Sequence, residues 1–393
     1  MREKTEAFVK ILLISLLPTL LVWAPFYFRM PQFWSIPLPS DGIQTIAANY
    51  DGPLYIVVAK TFYNTQLIQN TFSFPLPLEY YAAHFPLYPA LIWIAGSILN
   101  FLFGNTFGFP WGMLLVTLLS SIVTIAYFRA YIADFVSKEN VLFVTLLFAI
   151  FPARWLIARS TGTPEPLFMG AILASIFHFN KRQYARAGLW GAVAQLTKSP
   201  GILLFAAYAL YIGLVQFRRA ATTSPLRWLK TFPWGTYPIL LMPIALLGVF
   251  WLYGNTFNDY LAYFHSGDNI HLLFPPFQIF DYSQSWVGTH WLEEIVFIYL
   301  LAGYGVVKMF KMKMGMAAWF SLVFLTSIIF VSHRDIVRYS LPILPFLYAA
   351  YSDTITKKEL KYVVGLIVFP IYLFSLAYIS NNIMPIADWG PLL

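Results

Sequence analysis

The sequence predicts an all-α polytopic membrane protein, a bundle of about 11–13 transmembrane helices with a long first outer loop carrying amphipathic surface helices. Three observations lead there. Hydrophobic residues make up 59% of the 393 positions and charged residues only 11%, where a soluble domain carries about a quarter charged residues. So little charge cannot cover a water-facing surface of this size. The apolar residues also gather into runs of spanning length, and the basic residues behind the net charge of +8 sit in short clusters between those runs, which speaks against nucleic acid as a partner.

A spanning helix needs about 20 apolar residues, fewer where neighbours shield it. Candidate spans are residues 8–28, 87–103, 110–130, 141–158, 166–180, 187–217, 234–254, 292–310, 315–332, 339–352 and 362–380. No small-residue cleavage site follows the first run, so it reads as a retained span and not as a signal peptide. The 187–217 run is too long for one upright helix. Pro200 and Gly201, directly after Lys198 and Ser199, predict a division into two shorter helices. The chain as a whole, 1–393, reads as a single integral membrane domain.

Orientation follows from Lys and Arg in short loops, which favour the cytoplasmic side. The clusters Arg2/Lys4/Lys10, Lys181/Arg182/Arg186, Arg218/Arg219/Arg227/Lys230, Lys308/Lys311/Lys313 and Lys357/Lys358/Lys361 are placed there. The N-terminus is then cytoplasmic, and 29–86, 255–291 and 333–338 lie outside. One parity conflict remains: if 87–103 and 110–130 both cross, the 181–186 cluster falls on the wrong side. Either one of the two runs is re-entrant or that cluster breaks the charge rule. His84, His265, His271, His290 and His333 fall in or beside the outer segments, as do Asp41, Asp51, Glu79, Asp259, Asp268 and Asp281. The titratable chemistry therefore belongs to the outer face.

The first outer loop, 29–86, is long for a simple bundle, and long loops are usually functional or disordered. Its segment 52–63 (GPLYIVVAKTFY) is apolar with helical spacing. Leu54, Val57, Val58 and Phe62 would share one face, so it reads as an amphipathic helix at the membrane surface. Pro53 suits a first helical turn. Asp51 then stands at the helix N-terminus, either as a plain N-cap or as a carboxylate available for chemistry. Asp41, before Gly42, is a second carboxylate whose plainer reading is a solvated turn. The second large outer loop, 255–291, holds His265, Asp268 and His271 close together. Their spacing matches no zinc motif, so recognition of sugar hydroxyls or helix capping is preferred to a metal, and no metal site is assigned.

Three further residues stand in or against apolar runs. Glu165 lies in the sequence 160–166 (STGTPEP) between two spans, where a carboxylate is expensive and usually paired or functional; Arg159 is the candidate ion-pair partner. Lys198, inside a span, must snorkel, pair or face an aqueous cavity. Arg338, at the outer end of a span, can bind phosphate through its planar fork, anchor at the interface, or pair with Asp335. There are no cysteines, which removes disulfides and thiol chemistry. No nucleotide-phosphate loop is present, and an outer site has no access to cytoplasmic nucleotides. A lipid-linked phosphate sugar is an activated substrate that does reach that face.

The run 49–63 (NYDGPLYIVVAKTFY) resembles the W-D-x-x-x-Y-x-x-I-A-x-x-G-Y segment of PIG-V-like mannosyltransferases, members of the GT-C class of membrane glycosyltransferases, with Tyr50 in place of tryptophan. Residues 84–89 (HFPLYP) are similar to that family's F-F-P-L-Y-P, with His84 for an aromatic. Residues 163–168 (TPEPLF) resemble Y-T-E-S-L-F, 196–201 (LTKSPG) resemble T-R-P-x-G with Lys198 for arginine, and 337–342 (VRYSLP) resemble R-Y-x-x-P. The matches occur in order along nearly the whole chain and suggest a distant bacterial or archaeal relative.

The resemblance implies a GT-C-type bundle in a plasma membrane, a polyprenyl-phosphate sugar donor, inversion at the anomeric carbon and no cofactor. Asp51 occupies the position of the catalytic carboxylate. Arg338 and Lys198 become donor-phosphate ligands. Asp41, His84, Glu165, His265, Asp268, His271 and Tyr339 become substrate-binding candidates, and the acceptor is a glycan, lipid or protein. The competing readings are a transporter or flippase of lipid-linked sugars, an outer-face polysaccharide polymerase or ligase using a lipid diphosphate, and a non-catalytic scaffold. A transporter often shows inverted repeats, and no convincing internal repeat is found.

Overall fold

A computed structural model describes residues 2–104, 108–220, 230, 232–266, 272–283, 292–333 and 335–393. The described chain is almost entirely helical. It opens with α1 (Arg2–Tyr27), a short antiparallel ribbon of β1 (Gln32–Phe33) and β2 (Ile36–Pro37), and the loop helices α2 (Ile43–Ala47), α3 (Gly52–Thr61) and α4 (Thr65–Thr71). Then come α5 (Leu87–Phe103), α6 (Gly108–Ile132), α7 (Lys138–Ile150), α8 (Ala153–Ser160), α9 (Glu165–Asn180), α10 (Tyr184–Thr197) and α11 (Ile202–Ala220). The remainder is α12 (Leu241–Thr256), α13 (Ala262–His265), α14 (Glu293–Lys311), α15 (Met316–Ile329), α16 (Ile336–Tyr339), α17 (Leu344–Ala350), α18 (Ser352–Ile355) and α19 (Lys358–Asn381).

Among the described residues, five helical stretches are long and apolar enough to cross a membrane: Thr5–Tyr27, Gly108–Ile132, Ser199–Arg218, Trp234–Thr256 and Lys358–Asn381. The pair α7 and α8 makes a sixth if it is one span, bent by 71°. The other apolar runs appear as shorter or broken helices. The run at 141–158 is not one straight helix, because Pro152 supplies no N–H and holds Phe151 in extended backbone (φ −128°, ψ 139°). The run at 187–217 divides where expected: Lys198 is extended (φ −151°, ψ 145°), and a single turn at Ser199–Gly201 leads into α11.

The chain forms two compact units. The first comprises Met1–Gly170, Val249–Asn269 and Ser352–Leu393, the second Ala171–Gly248 and Ile270–Tyr351. In the first, α1, α6, α8 and α19 enclose a core of Val22, Trp23, Phe26, Leu114, Leu156, Ile157, Ile371, Leu376 and Ile379. Leu13, Leu17, Leu20 and Leu21 on α1 and Leu366 on α19 stay exposed. Lipid is as apolar as leucine, so association of such helices depends on close packing and hydrogen bonds more than on apolar burial. Small residues supply the close packing. A Cβ on Gly112 would lie 2.6 Å from the Gly96 nitrogen, so α5 and α6 pack backbone to backbone.

Tyr88 near the start of α5 bonds Thr117, whereas Gly96 meets Phe109 and Gly112. The two helices are therefore antiparallel, and α5 begins level with the middle of α6. At the opposite end of the unit, Lys361 of α19 donates to Asn140 of α7 at 2.6 Å, so α6 descends from the Asp51 end to the lysine end.

The loop helices differ from one another. The α4 helix buries only Ile68, as a surface helix would. The α3 helix is buried nearly all round, with Leu54, Tyr55, Ile56, Val57, Val58 and Ala59 all inside. The single apolar face expected for it is too narrow a description, since α5 and α6 cover the other sides. Phe62, expected on that face, is 49% exposed because the helix ends there in a left-handed residue (φ 46°).

In the second unit, α10 lies against the turn Trp234–Leu240 and α12, with Gly188 and Gly191 fitted to Pro238 and Met242. The α11 and α14 helices pack on α15. The described residues 272–283 dock on the end of α15: Leu273 N–H donates to the Phe330 carbonyl at 2.8 Å and Phe277 N–H to the Ile329 carbonyl at 2.9 Å.

Candidate active site

Asp51 is placed by what surrounds its neighbours. Asn49 is fully buried. Its side-chain amide donates to the Thr45 carbonyl at 2.9 Å and the Ile379 carbonyl at 3.0 Å, and its oxygen accepts from Asn382 at 3.5 Å. The Met384 N–H donates to the Ala48 carbonyl at 2.8 Å. The turn before α3 is thus fastened to the end of α19 and the segment after it. Tyr50 then takes a left-handed conformation (φ 52°), and Gly52 begins α3. A Cβ on Gly52 would lie 2.4 Å from the Ala47 carbonyl oxygen and 3.4 Å from the Gly162 carbonyl oxygen, so only glycine lets these strands of backbone approach.

Asp51 itself holds the N-cap position of α3 (φ −92°, ψ 18°) but makes no side-chain cap bond. The capping interpretation of this residue is therefore incorrect. The carboxylate is partly exposed, and no hydrogen bond or ion pair to it is found among the described residues.

Opposite Gly52 runs the turn between α8 and α9. Its hydroxyls serve the backbone: Thr161 donates to the Ile157 carbonyl at 3.0 Å and Thr163 to the Ala158 carbonyl at 2.7 Å, satisfying the last carbonyls of α8. Glu165 begins α9 and is only 4% exposed. Its expected ion pair with Arg159 does not form. Arg159 is wholly buried and donates instead to the carbonyls of Ala149 (2.9 Å) and Ser15. The break after α7 leaves the Ala149 carbonyl without an intrahelical donor, and the guanidinium fills that need.

A polar chain links this turn to α3. The Thr117 hydroxyl donates to the Thr163 carbonyl at 3.2 Å and bonds the Tyr88 hydroxyl at 2.6 Å. The Tyr88 ring stands 5.0 Å from Tyr55 of α3, which stands 4.6 Å from His84. His84 is 2% exposed, so it is a packed residue of this wall more than an open hydroxyl reader. Tyr63 donates to its carbonyl at 2.6 Å. Asp41 lies on the exposed turn before α2, outside this group.

His265 pairs with a carboxylate among the described residues. Its Nδ1 lies 2.6 Å from Asp259, on an exposed pair. That hydrogen bond, with one from Leu261 N–H at 2.8 Å, holds the Asp259 carboxyl below its ordinary range. Asp268 and His271 lie outside the described residues. Among the described residues no three His, Cys, Asp or Glu side chains gather as a metal site would require.

The second unit carries a cationic cluster. Arg338 and Asp335 are both nearly buried, with Nε 2.8 Å from the carboxylate. The Nε–H is not aimed at that oxygen, so the contact is ionic and not a directed hydrogen bond. Arg338 Nη2 donates to the Tyr339 hydroxyl at 3.0 Å. Lys198, at the extended break after α10, places Nζ 5.4 Å from the Tyr339 ring centre. His333 packs edge-on to the same ring at 5.0 Å and accepts from the Asp335 N–H at 2.9 Å. Arg338, Lys198 and Tyr339 are therefore brought together, and the anticipated pairing with Asp335 is present too.

Sequence reasoning missed Asn49, Tyr55, Tyr88 and Arg154. Arg154 stacks its guanidinium 3.9 Å from the ring centre of Tyr378, and Tyr378 lies 5.9 Å from Tyr50. A lone arginine in an apolar run was the available signal.

No family model and no curated protein matches this chain. Among solved structures it is similar to ArnT from Cupriavidus metallidurans bound to undecaprenyl phosphate, with a TM-score of 0.55, 14% identity, and coverage of 91% of this chain and 63% of that one. The chain has the GT-C fold. It thus spans less than two thirds of the length of that ArnT chain. The archaeal oligosaccharyltransferase AglB from Archaeoglobus fulgidus, in complex with an inhibitory peptide and a dolichol-phosphate, aligns over 98% of this chain and 57% of its own at 12% identity, with a TM-score of 0.48.

Proposed function

We propose that this protein transfers a sugar, with mannose the first to test, from a polyprenyl phosphate to an acceptor hydroxyl on the outer face of the membrane. The observation that carries the reading is the Asp51 carboxylate. It begins a buried helix, in a chain with the fold of a structure that holds undecaprenyl phosphate, yet its side chain makes no cap bond and no ion pair among the described residues.

Asp51 takes the proton of the acceptor hydroxyl. The oxygen attacks C1 of the sugar as the bond from C1 to the phosphate oxygen breaks, and the phosphate leaves with the electron pair. Attack opposite the leaving group inverts the anomeric centre. Positive charge builds on the sugar in the transition state, and a carboxylate in a poorly solvated site stabilises it. The role proposed for Arg338, with Lys198, is to match the phosphate charge through directed N–H bonds. Glu165 and Tyr339 orient sugar hydroxyls. The scheme uses no nucleotide and no metal.

The test is a transfer assay in liposomes with radiolabelled polyprenyl-phosphate mannose and a crude lipid and glycan extract as acceptor. Asp51→Asn runs beside the unaltered protein. Transfer that disappears in the variant supports both the reaction class and the base. Transfer that persists moves the base elsewhere, and no transfer from mannose, glucose or arabinose donors favours a transporter of lipid-linked sugars.

A further inference from the structure

The general base of a glycosyl transfer touches the acceptor, not the leaving phosphate, so whatever stands beside Asp51 in its own unit reads the acceptor. What stands there is Tyr50, next in sequence, whose ring lies 5.9 Å from Tyr378 of α19. On Tyr378, in turn, the guanidinium of Arg154 lies at 3.9 Å. All three side chains are partly exposed, and they come from three different elements, namely the turn before α3, the start of α8 and the end of α19.

The arrangement has a chemical consequence. A guanidinium stacked on an aromatic face is held flat, and its N–H donors radiate in the plane of the stack, the geometry that binds a carboxylate or phosphate through two parallel bonds. Stacking also removes the rotamer freedom that a binding arginine would otherwise lose. Beneath the group lies the apolar core of the unit, with Tyr50 and Tyr378 packed against it, so the rings are fixed as well.

We infer that Arg154, Tyr378 and Tyr50 form an oxyanion-binding site for the acceptor, and that the acceptor is an anionic glycolipid bearing a phosphate ester or a carboxylate. This rests on the transfer reading for the word acceptor. The anion site itself is tested without any turnover.

The experiment measures binding of three lipids to the purified full chain in nanodiscs: phosphatidylglycerol, glucuronosyl diacylglycerol and neutral glucosyl diacylglycerol. Arg154→Gln lowers affinity for one or both anionic lipids by about tenfold or more, as expected for loss of charged hydrogen bonds, and leaves the neutral lipid unchanged. Which anionic lipid responds tells phosphate from carboxylate. Tyr378→Phe keeps the stack and retains binding, whereas Tyr378→Leu loses it, which guards against an Arg154 variant that fails to fold. The inference is overturned if the unaltered protein does not prefer the anionic lipids, or if Arg154→Gln binds them equally well. Absent transfer in the radiolabel assay with Arg154-dependent binding intact would remove the transferase reading and keep the site.

Discussion

The Asp51 turn of the first unit and the Arg338 cluster of the second treat charge in opposite ways. In the Asp51 region several buried polar groups are spent on backbone: Asn49 on the Thr45 and Ile379 carbonyls, Thr163 on Ala158, Arg159 on Ala149 and Ser15. The carboxylate is left alone. Around Arg338 the charge is already answered by Asp335 at 2.8 Å. The base proposed above would need its lone pairs for the acceptor proton, and surroundings that hold it without bonding it suit that role. A buried cation is costly to leave unpaired, so under the proposed phosphate role Asp335 would hold the place between turnovers.

The largest effect that would break this contrast comes from Asp51→Asn. General-base catalysis contributes about 10²–10⁴-fold, and transfer should fall by that order. Since the carboxylate makes no structural bond, the thermal midpoint should stay within a degree or so of the unaltered protein by the small cost of such substitutions. A large loss of stability in Asp51→Asn would show that the carboxylate is structural, and the contrast would vanish.

Next in size is Asp335→Asn. Removing one partner of a buried pair leaves the other charge uncompensated, at a cost of about 3–5 kcal/mol. The variant should melt earlier, and undecaprenyl phosphate should restore more of its stability than it adds to the unaltered protein, because a ligand that binds only the folded state stabilises through its affinity. The double variant Asp335→Asn, Arg338→Gln should lose that extra restoration. Equal restoration in all three, read by thermal shift, would deny the cluster a phosphate role.

Gly52→Ala sharpens the comparison on the first unit's side. Its Cβ would stand 2.4 Å from the Ala47 carbonyl oxygen, a backbone atom that cannot swing aside. Overpacking of this kind costs about 1–3 kcal/mol. The expected outcome is a lowered thermal midpoint together with reduced transfer, because the same backbone approach sets Asp51 against the turn at Gly162.

What could be read beforehand divides along physical lines. The apolar runs gave α5 its bounds, Leu87–Phe103, and the break at Lys198, since run length and Pro-Gly pairs act locally. The same logic placed Asp51 at the start of α3. It did not reveal that α5 begins level with the middle of α6 and runs antiparallel to it, because that depends on Tyr88 meeting Thr117 and Gly96 meeting Gly112, which are contacts between helices. The Arg159 assignment failed for a related reason. Proximity in sequence suggested Glu165, but the helix break opened a carbonyl that a buried guanidinium answers better. His265 pairs with Asp259, since Leu261 and the short α13 fold that aspartate back onto it, a local turn that residue spacing alone does not show.

That His265 pair supplies the smallest effect and a control on the contrast, being an ion pair of the first unit that is open to water. The hydrogen bond from His265 holds the Asp259 carboxyl below its ordinary 3.8. A carboxyl whose folded value is depressed adds stability above the unfolded value and loses it as pH falls through the folded one. Local opening of the described residues around 259–265, followed by hydrogen exchange, should therefore be flat from neutral pH down to about 4 and rise below it. His265→Ala should raise the opening already at neutral pH and flatten the acid rise. Exposed pairs contribute little and are screened by salt, so high ionic strength should narrow the gap between the two proteins while leaving the Asp335 effect nearly whole. If salt moved both equally, the Arg338 cluster would be as open to water as this surface pair, and a resident carboxylate would have nothing to protect.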